Sequence, residues 1–323
     1  MKIFVAGGAG YIGSCCTQYL LDRGHDVIVF DSLLKGHRDA VDTRATFIRG
    51  DLADRELIHR ALADHRPDGI IHFAAFIEVA ESMTDPGSYF RNNVACGLNL
   101  ADAAVAAKVR KIVFSSTAAT YGMPQTVPIP ESETTKPINA YGESKLMFEN
   151  VLRWYREVHG LQYNALRYFN AAGATDKFGE DHNPESHLIP IILQVANAER
   201  DNIKIYGTDY DTPDGSCIRD YIHVTDLAQA HLLALRHEDS GVFNLGSGSG
   251  YSVREIIEMA RDVTGAEIPA EEAPRRPGDP PRLISDSSAA REVLGWQPDH
   301  DDIRAIIESA WQWRQRNPEG YKA

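Results

Sequence analysis

Six short, almost continuously apolar runs lie in the first half of the chain, and they restrict the fold more than any other feature. They are rich in β-branched and aromatic residues, which is typical of strands buried on both faces of a sheet. Stretches long enough for crossover helices separate most of them, so the pattern predicts an α/β fold with a doubly wound parallel sheet. The predicted strands are residues 2–7, 26–31, 45–51, 69–75, 111–117 and 164–170, and the predicted helices are 10–23, 55–65, 88–108 and 140–159.

The pattern changes in the second half of the chain, where polar and proline-rich loops separate fewer helices and strands. We expect two domains, a sheet domain over residues 1–172 and a smaller mixed α/β substrate domain over residues 173–323. Segments near 220–250 are expected to pack back on the first domain. One helix of this region follows Thr225, which is its predicted N-cap.

Composition and charge restrict the partners. The 323 residues carry a formal net charge of −13 at pH 7, which argues against nucleic acid or an anionic membrane as a partner. No apolar run approaches the roughly 20 residues of a membrane span, and the N-terminal apolar stretch is too short for a signal peptide. The four cysteines form no Cys-x-x-Cys pair and no Cys/His cluster with zinc spacing. We therefore expect a soluble cytoplasmic protein without a metal.

A glycine-rich turn follows the first predicted strand and opens the first predicted helix. Gly7, Gly10 and Gly13 have the spacing G-x-x-G-x-x-G, which permits a tight turn and lets a pyrophosphate reach the helix N-terminus. Asp31 ends the second strand, 18 residues after Gly13, where a carboxylate can bond both ribose hydroxyls of NAD and repel the 2′-phosphate of NADP. A glycine turn beside an unrelated surface Asp is the alternative, but the strand–turn–helix context favours a site for NAD.

Further residues are expected at the same edge of the sheet. Asp51 ends the third strand, in a position to face the adenine, and the small residues of 72–75 end the fourth strand, where the backbone passes beside the cofactor. The segment 92–94 lies in the next helix. Each of these alone is more typical of packing or helix capping, so their meaning depends on their shared location at the strand ends.

A tyrosine and a lysine lie one helical turn apart after the fifth strand. Composition alone predicts roughly 0.4 such pairs by chance, so the position of Tyr141 and Lys145 matters more than their spacing. The hydroxyls of 115–117 end the preceding strand at the edge where the cofactor is expected. Lowering the pKa of a phenol from about 10 to about 7 takes roughly 4 kcal/mol, which a cation at about 4 Å supplies at an effective dielectric near 20. We expect Lys145 and an oxidised nicotinamide to make Tyr141 a base for a carbinol proton, while Thr117 bonds the same hydroxyl.

Ordered motifs over nearly the whole chain resemble those of a known family. They are GGAGYIGS, Asp31, HFAA, SSTAATYG, AYGESK, RYFNAAGA, RDYIHVTDLAQAH, FNLGSG and RRPGDP. Together they resemble the extended short-chain dehydrogenase/reductases of the NAD-dependent epimerase/dehydratase family, and most closely the UDP-glucose 4-epimerases among them. The resemblance implies a Rossmann-like fold, bound NAD, a UDP-sugar substrate and a homodimer formed through the helices near 88–108 and 140–159.

The resemblance also implies a reaction and a set of site residues. Tyr141 takes the proton of the sugar 4-hydroxyl, with Thr117 bridging, while a hydride moves from C4 to NAD. The hydride returns to the opposite face of the transient 4-keto sugar, which interconverts UDP-galactose and UDP-glucose. Lys145 bonds the nicotinamide ribose and lowers the pKa of Tyr141. The implied cofactor contacts are Gly7, Gly10, Tyr11, Ile12, Gly13, Asp31, Asp51, Leu52, Phe73, Ala74, Ala75, Asn93, Lys145 and Phe169, and the implied substrate contacts are Thr117, Tyr141, Asn170, His187, Leu188, Tyr206, Arg219, Arg276, Asp279 and Leu283.

Four positions depart from or vary within the family pattern. Thr117 stands where many members have Ser, and Ile77 stands where some place a cofactor-binding Lys. His187 stands where others have Asn and can still reach a phosphate or a ribose. Leu283 stands where the family limits the sugar pocket, with Tyr excluding N-acetyl sugars and smaller residues admitting them. Acceptance of UDP-N-acetylhexosamines therefore stays open.

A nucleotide-sugar 4,6-dehydratase is the nearest alternative, since it shares the cofactor site and the Tyr–Lys pair. Related dehydratases carry Asp-Glu directly after the active-site Thr, and decarboxylases of the family keep a Glu there, whereas Ala118 and Ala119 follow Thr117 here. Alanines cannot transfer protons, which favours epimerisation. Another NAD-dependent nucleotide-sugar epimerase and a non-catalytic NAD-binding regulator are further alternatives, although the regulator has no need of Tyr141, Lys145 and Thr117 together.

Overall fold

A seven-stranded parallel sheet lies at the centre of the molecule in a computed structural model, which describes residues 1–276 and 278–321. The strands in chain order are β1 (Lys2–Ala6), β2 (Asp26–Asp31), β3 (Thr46–Arg49), β4 (Gly69–His72), β5 (Lys111–Thr117), β6 (Gln162–Tyr168), β7 (Asn170–Ala172), β8 (Ile203–Tyr206), β9 (Ile218–Arg219), β10 (Tyr221–His223), β11 (Gly241–Leu245), β12 (Tyr251–Ser252), β13 (Ala270–Ala273) and β14 (Arg282–Leu283).

The order of the central sheet is β11-β6-β5-β4-β1-β2-β3, and each neighbouring pair is parallel. From β1 the chain first builds outward through β2 and β3, and then crosses to the other side of β1 to form β4, β5 and β6. The direction of building therefore reverses between β1 and β4, and ligands of doubly wound sheets bind outside the carboxyl ends of the strands at such a point. The predicted α/β fold with a doubly wound parallel sheet is confirmed.

Helices cover both faces of this sheet. They are α1 (Tyr11–Asp22), α2 (Arg55–His65), α3 (Val79–Ser82), α4 (Pro86–Tyr89), α5 (Cys96–Ala106), α6 (Ala140–His159), α7 (Leu188–Ala196), α8 (Val224–Arg236), α9 (Val253–Thr264), α10 (Ser288–Leu294) and α11 (Ile303–Arg316). The predicted helix over 88–108 is divided, because a π-helical turn over Phe90–Ala95 separates α4 from α5.

Two apolar layers pack the helices onto the sheet. Successive strand residues point to opposite faces, so Ile3 and Val5 of β1 join the layer beneath α1 and α8, whereas Phe4 and Ala6 join the layer beneath α2, α5 and α6. A third apolar cluster joins α7, α9 and α11 beside the small sheets of the second half of the chain. The carboxyl ends of the central strands are thus fixed from both faces, which gives the residues that follow them defined positions.

The segment between 220 and 250 contributes to the central sheet. Its strand β11 pairs with β6, and its helix α8 packs against α1. The prediction of Thr225 as N-cap of this helix was wrong, because α8 begins at Val224 and the side chain of His223 accepts a hydrogen bond from the Thr225 N–H. A histidine ring nitrogen here takes the capping role that sequence statistics assign to a hydroxyl.

Among the helices of the described ranges, none combines the length and the apolar character that a membrane crossing requires.

Candidate active site

A cleft of about 1540 Å³ opens at the carboxyl end of the central sheet, and loops from the second half of the chain form its other wall. All of the predicted cofactor and substrate residues line this cleft except Asn93. Ile77, where the family pattern varies, lines it as well. The fold therefore brings together residues that are separated by more than 200 positions in the sequence, such as Gly7 and Leu283.

The glycine turn after β1 requires residues without a side chain at two of its positions. Gly7 has a φ of +83°, and a Cβ there would lie 2.4 Å from the backbone nitrogen of Ala74. A Cβ on Gly13 would lie 2.1 Å from the carbonyl oxygen of Gly7, so α1 packs directly on the turn. At Gly10 the nearest atom to a Cβ would be 3.7 Å away. The absence of a side chain at Gly10 therefore keeps the cleft open and does not affect the packing.

The N-terminus of α1 and the carboxylate of Asp31 lie side by side at this turn. Gly10 is the N-cap of α1, and no side chain caps the helix there. Asp31 accepts hydrogen bonds from the backbone nitrogens of Ala9 at 2.9 Å and Leu33 at 2.8 Å. Burial raises the pKa of Asp31, and these two N–H donors oppose the rise. An uncapped helix N-terminus and an anchored carboxylate are the groups that bind a pyrophosphate and a ribose diol, so the residues present fit NAD.

Thr117, Tyr141 and Lys145 meet beyond the end of β5. Thr117 is the last residue of that strand, and Tyr141 and Lys145 lie in the first two turns of α6. The Thr117 hydroxyl lies near enough to the Tyr141 phenol to lower its pKa. The buried Nζ of Lys145 donates to the carbonyl oxygen of Ser115 at 2.9 Å and lies 5.8 Å from the centre of the Tyr141 ring. A hydroxyl, a phenol and an amine thus lie close together beyond the end of β5, and their catalytic roles stay a prediction.

Burial disfavours the charged form of both the phenol and the amine. The pKa of Tyr141 is raised to about 12, first by burial and further by the charge of Glu78, while the nearby Thr117 hydroxyl lowers it. Burial lowers the pKa of Lys145 to about 7, and Glu149 opposes this shift. Burial therefore dominates the pKa of the phenol, and a lowering of that pKa by Lys145 stays a prediction. A further positive charge beside the phenol is needed to make it a base near neutral pH.

Two residues that position Tyr141 were not predicted. Asn139 caps α6, with its Oδ1 accepting a hydrogen bond from the backbone nitrogen of Gly142 at 2.8 Å. A Cβ on Gly142 would lie 2.6 Å from the carbonyl oxygen of Ala119, so this glycine lets the first turn of α6 pack against the turn that follows Thr117. That contact sets the separation of the phenol and the hydroxyl. An Asn before a helix is a readable N-cap signal, but the packing partner of Gly142 is not written in the local sequence.

Asn93 lies behind the cleft wall. Its buried side chain exchanges two hydrogen bonds with the backbone of Phe76 and donates to the Oγ of Ser144 at 3.0 Å. Ser144 in turn donates to the carbonyl oxygen of Tyr141 at 2.7 Å. Asn93 therefore connects the loop after β4 to α6, whereas its neighbour Asn92 lines the cleft. A direct contact of Asn93 with a cofactor stays a prediction.

Long side chains from the second half of the chain form the opposite wall. Arg219 makes an ion pair with Asp279, and both line the cleft. The guanidinium of Arg276 lies 4.0 Å from the centre of the Tyr206 ring. Leu283 of β14 pairs with Arg219 of β9, which places the sugar-pocket position beside an arginine. Two guanidinium groups and an aromatic ring are suited to a nucleotide diphosphate.

The remaining predicted residues lie where β6 ends and where α7 begins. Phe169 and Asn170 follow β6, and the amide of Asn170 donates to the carbonyl oxygen of Asp220 at 2.8 Å. His187 is the N-cap of α7, and Leu188 is its first residue. The end of β6 and the start of α7 therefore bring backbone and side-chain groups to the same cleft.

A cluster of two glutamates and two histidines in the loop before α7 was not predicted. Glu180, His182, Glu185 and His187 each place one potential ligand atom within 4.8 Å of the others. The Cys/His spacing rules for zinc sites do not detect this cluster, because two of its four members are glutamates. The spacing E-x-H-x-x-E-x-H is the signal that identifies it.

Comparison with known proteins adds to this geometry. Residues 3–246 match the sequence profile of the NAD dependent epimerase/dehydratase family. The chain belongs to this family. The UDP-glucose 4-epimerase of Lacticaseibacillus casei is 52% identical, over 99% of this chain and 99% of the relative. A crystal structure of a UDP-glucose 4-epimerase has a TM-score of 0.98 at 48% identity, covering 100% of both chains. The UDP-glucose 4-epimerase of Bifidobacterium longum, in complex with NAD+ and UDP, has a TM-score of 0.94 at 38% identity, covering 99% of this chain and 100% of its own.

The match to the epimerase/dehydratase family includes all seven strands of the central sheet and the residues Thr117, Tyr141 and Lys145. The predicted family and its dependence on NAD are confirmed. The glycine turn and Asp31 are the parts of this chain that fit that cofactor, as their geometry shows independently.

Proposed function

We propose that this protein is a UDP-glucose 4-epimerase, an isomerase that interconverts UDP-glucose and UDP-galactose through a transient 4-keto sugar. The observation that carries the proposal is the meeting of Thr117, Tyr141 and Lys145 at the end of β5. They lie where a dinucleotide site and an arginine-lined pocket share one cleft. A base at that junction can act on a hydroxyl of a bound nucleotide sugar.

The chain's own residues supply the proton chemistry. The Thr117 hydroxyl lies near the phenol and can bond the sugar 4-hydroxyl, which aligns that hydroxyl with the phenol for proton transfer. Tyr141 takes that proton and later returns it. NAD, when bound, supplies reversible hydride acceptance at C4. Because burial raises the pKa of Tyr141, the phenol ionises only beside added positive charge, and Lys145 is the nearby side chain that can share in supplying it.

The pocket is expected to bind the nucleotide more firmly than the sugar. Arg219 and Arg276 provide charge-assisted donors for a diphosphate, and Tyr206 adds an aromatic face. A 4-keto sugar must turn over before the hydride returns, so strong contacts to the hexose would slow the reaction. Leu283 lines the cleft and is smaller than the Tyr that excludes N-acetyl sugars, and we propose that UDP-N-acetylhexosamines are accepted as well.

A 4,6-dehydratase is the second candidate, because one acid lies near the phenol. Glu78 lines the cleft, and its charge raises the pKa of Tyr141. Loss of water across C5–C6 requires an additional acid and base, and Glu78 is a candidate for one of them. Ala118 and Ala119, which follow Thr117, supply neither, and this favours epimerisation.

Product analysis distinguishes these functions. Purified protein is incubated with UDP-galactose or UDP-N-acetylgalactosamine without added NAD. The products are separated by chromatography, and their masses are measured by mass spectrometry. We expect products of unchanged mass and altered retention. A product lighter by one water would overturn epimerisation, and so would unchanged substrate when protein-bound NAD is detected.

The variant Leu283→Tyr tests the pocket separately. It should retain activity on UDP-galactose and lose it on UDP-N-acetylgalactosamine. Equal activity of the variant on both substrates would contradict the assignment of Leu283 to the sugar pocket.

We also propose a homodimer formed through α5 and α6. Met147, Trp154 and Val158 are exposed on α6 and lie seven and four positions apart, which places them on one side of the helix. Light scattering after size exclusion should give twice the chain mass of 35.8 kDa. The variant Trp154→Glu should give the single-chain mass, and a monomeric parent protein would contradict the proposal.

We infer a cytoplasmic location from the state of the cysteines. Cys15, Cys16, Cys96 and Cys217 are all free thiols, which is typical of a reducing compartment. Cell fractionation with a compartment marker tests this inference.

A further inference from the structure

The loop between β7 and α7 gathers two carboxylates and two imidazoles at one point. The Nδ1 of His187 lies 2.8 Å from the Oε1 of Glu180 and 3.3 Å from the Oε1 of Glu185. The Nδ1 of His182 lies 3.3 Å from the Oε1 of Glu180 and 3.8 Å from the Oε2 of Glu185. All four ligand-type atoms come from the single segment 180–187.

These separations match the size of a tetrahedral zinc site. Zinc binds imidazole nitrogen and carboxylate oxygen at about 2.0–2.2 Å, so the ligand atoms of a tetrahedron are about 3.3–3.6 Å apart. The four histidine–carboxylate separations range from 2.8 to 3.8 Å, with Glu185 using a different oxygen toward each histidine, and one ligand atom from each of the four residues lies within 4.8 Å of the others. Two nitrogens and two oxygens are also a donor set that zinc accepts.

The histidine nitrogens are not engaged in ordinary hydrogen bonds. The Nδ1 atoms of His182 and His187 are both buried, and neither has a hydrogen-bond partner, although carboxylate oxygens lie close to each. Both ring nitrogens instead converge with the two carboxylates, and the four ligand-type atoms lie within 4.8 Å of one another. Such a convergent set of nitrogen and oxygen donors can bind one cation.

The carboxylates are buried with little compensating charge, although the Oε1 of Glu185 accepts hydrogen bonds from the backbone nitrogens of Ser186 and His187, each at 2.8 Å. The side chains of Glu180 and Glu185 are only 8% and 3% exposed. Within residues 1–276 and 278–321 neither makes an ion pair with a lysine or an arginine, and histidines are their only ionic partners. Two buried carboxylates in one small space require compensating positive charge.

We propose that Glu180, His182, Glu185 and His187 bind one Zn²⁺ ion. Four protein ligands complete a tetrahedron, so the ion has a structural role and leaves no position for substrate. It would fix the loop that forms the wall of the cleft before α7. The Nδ1 of His187 is buried while 43% of its side chain is exposed, so the opposite edge of its ring stays free. Coordination through Nδ1 would orient that edge toward a ligand in the cleft.

Metal analysis of the full-length, untagged protein tests the proposal. The protein is treated with a chelator, dialysed and titrated with Zn²⁺, and bound metal is measured by mass spectrometry after gel filtration. We expect one zinc per chain. Co²⁺ in place of Zn²⁺ should give the visible absorption of a tetrahedral cobalt site, while Mg²⁺, which prefers oxygen ligands, should not compete.

Matched variants locate the ion. His182→Ala and Glu185→Gln should each bind zinc at least about tenfold more weakly, since each loses one ligand. His159→Ala removes an exposed histidine at the C-terminal end of α6, outside the cluster, and should leave zinc binding unchanged. Circular dichroism and NAD content show whether each variant is folded. If the parent protein retains no zinc, or if the His182 and Glu185 variants retain as much as the His159 variant, the proposal is overturned and protons supply the positive charge in this cluster.

Discussion

The cofactor half and the substrate half of the cleft are constructed differently. The cofactor half, defined as the glycine turn 7–13 with Asp31, depends on backbone geometry. A Cβ added to Gly7 or Gly13 would lie only 2.4 or 2.1 Å from a backbone atom, and Asp31 is anchored by two backbone N–H groups. Little conformational freedom is left for a ligand to remove, so this half is preorganised for NAD.

The substrate half, defined as Tyr206, Arg219, Arg276 and Asp279, depends on long side chains that contact one another. Arg219 is paired with Asp279, and Arg276 lies over the Tyr206 ring. A diphosphate must compete with these contacts or share them, and long side chains lose rotamer freedom when they bind. Ligand binding by the cofactor half should therefore be sensitive to added side-chain volume, whereas ligand binding by the substrate half should be sensitive to lost charge.

The largest expected effect lies where the two halves meet. Tyr141→Phe removes the hydroxyl near Thr117 and keeps the ring, so both halves should bind their ligands normally. We expect kcat to fall by about 10²–10⁴-fold, the contribution of a positioned base. Turnover of UDP-galactose and binding of UDP, measured by calorimetry, give the two quantities.

The matched control for this change is on the same helix. The Tyr155 hydroxyl donates to Asp102 at 2.6 Å, outside the cleft, so Tyr155→Phe should leave kcat within about twofold of the parent value. Near-normal turnover of Tyr141→Phe would show that another group is the base.

Two adjacent arginines test the substrate half. Arg276 lines the cleft over Tyr206, whereas its neighbour Arg275 lies over Tyr210 and bonds to Asp209, outside the cleft. Arg276→Ala should raise KM for UDP-galactose about 10–100-fold, because a hydrogen bond to a charged group contributes about 1.5–3 kcal/mol. Arg275→Ala should change KM by less than about twofold. Equal effects of the two variants would mean that general charge, and not contact, determines substrate binding.

The same contrast explains what could be predicted from the sequence. Gly7, Gly13 and Asp31 belong to one strand–turn–helix–strand unit, so their requirements leave local signals. Thr117 and Tyr141 could be placed at one edge because parallel strands end together and the next helix starts there. Local patterns therefore predicted the family, the fold and the cofactor.

Contacts between distant segments were not predictable in this way. The role of Gly142 depends on Ala119, which lies 23 residues earlier, and the place of Asn93 depends on its bonds to Phe76 and Ser144. The pairing of Arg219 with Asp279 likewise joins two loops. Such partners are set by the packing of the whole domain, and a spacing rule does not contain them.

Two glycines test the cofactor half. Gly13→Ala adds a Cβ at 2.1 Å from the carbonyl oxygen of Gly7, so the turn must shift, and we expect a loss of about 1–3 kcal/mol in the free energy of unfolding together with weaker NAD binding. Gly10→Ala meets its nearest atom only at 3.7 Å, so it should unfold like the parent protein and lose NAD affinity alone. Thermal melts and NAD titration measure both. Equal stability of the two variants would contradict a backbone-built cofactor half.

The last effect concerns Lys145, which belongs to neither half, and it is a dependence of stability on pH. Burial lowers its pKa to about 7, while an unfolded lysine has a pKa of about 10.4. Between these values the unfolded chain binds the proton and the folded chain has released it, so the contribution of Lys145 to stability rises as the pH increases from about 7 to about 10. The slope can reach about 1.4 kcal/mol per pH unit.

The variant Lys145→Met isolates this contribution because methionine does not titrate. Urea unfolding of parent and variant is measured at several values between pH 7 and pH 10, and the difference in unfolding free energy should rise in favour of the parent. Tyr141 does not interfere, since its raised pKa of about 12 affects stability only above about pH 10, where the unfolded phenol ionises. A difference independent of pH would show that the folded protein keeps Lys145 charged throughout, with the amine then available as a permanent cation beside the phenol.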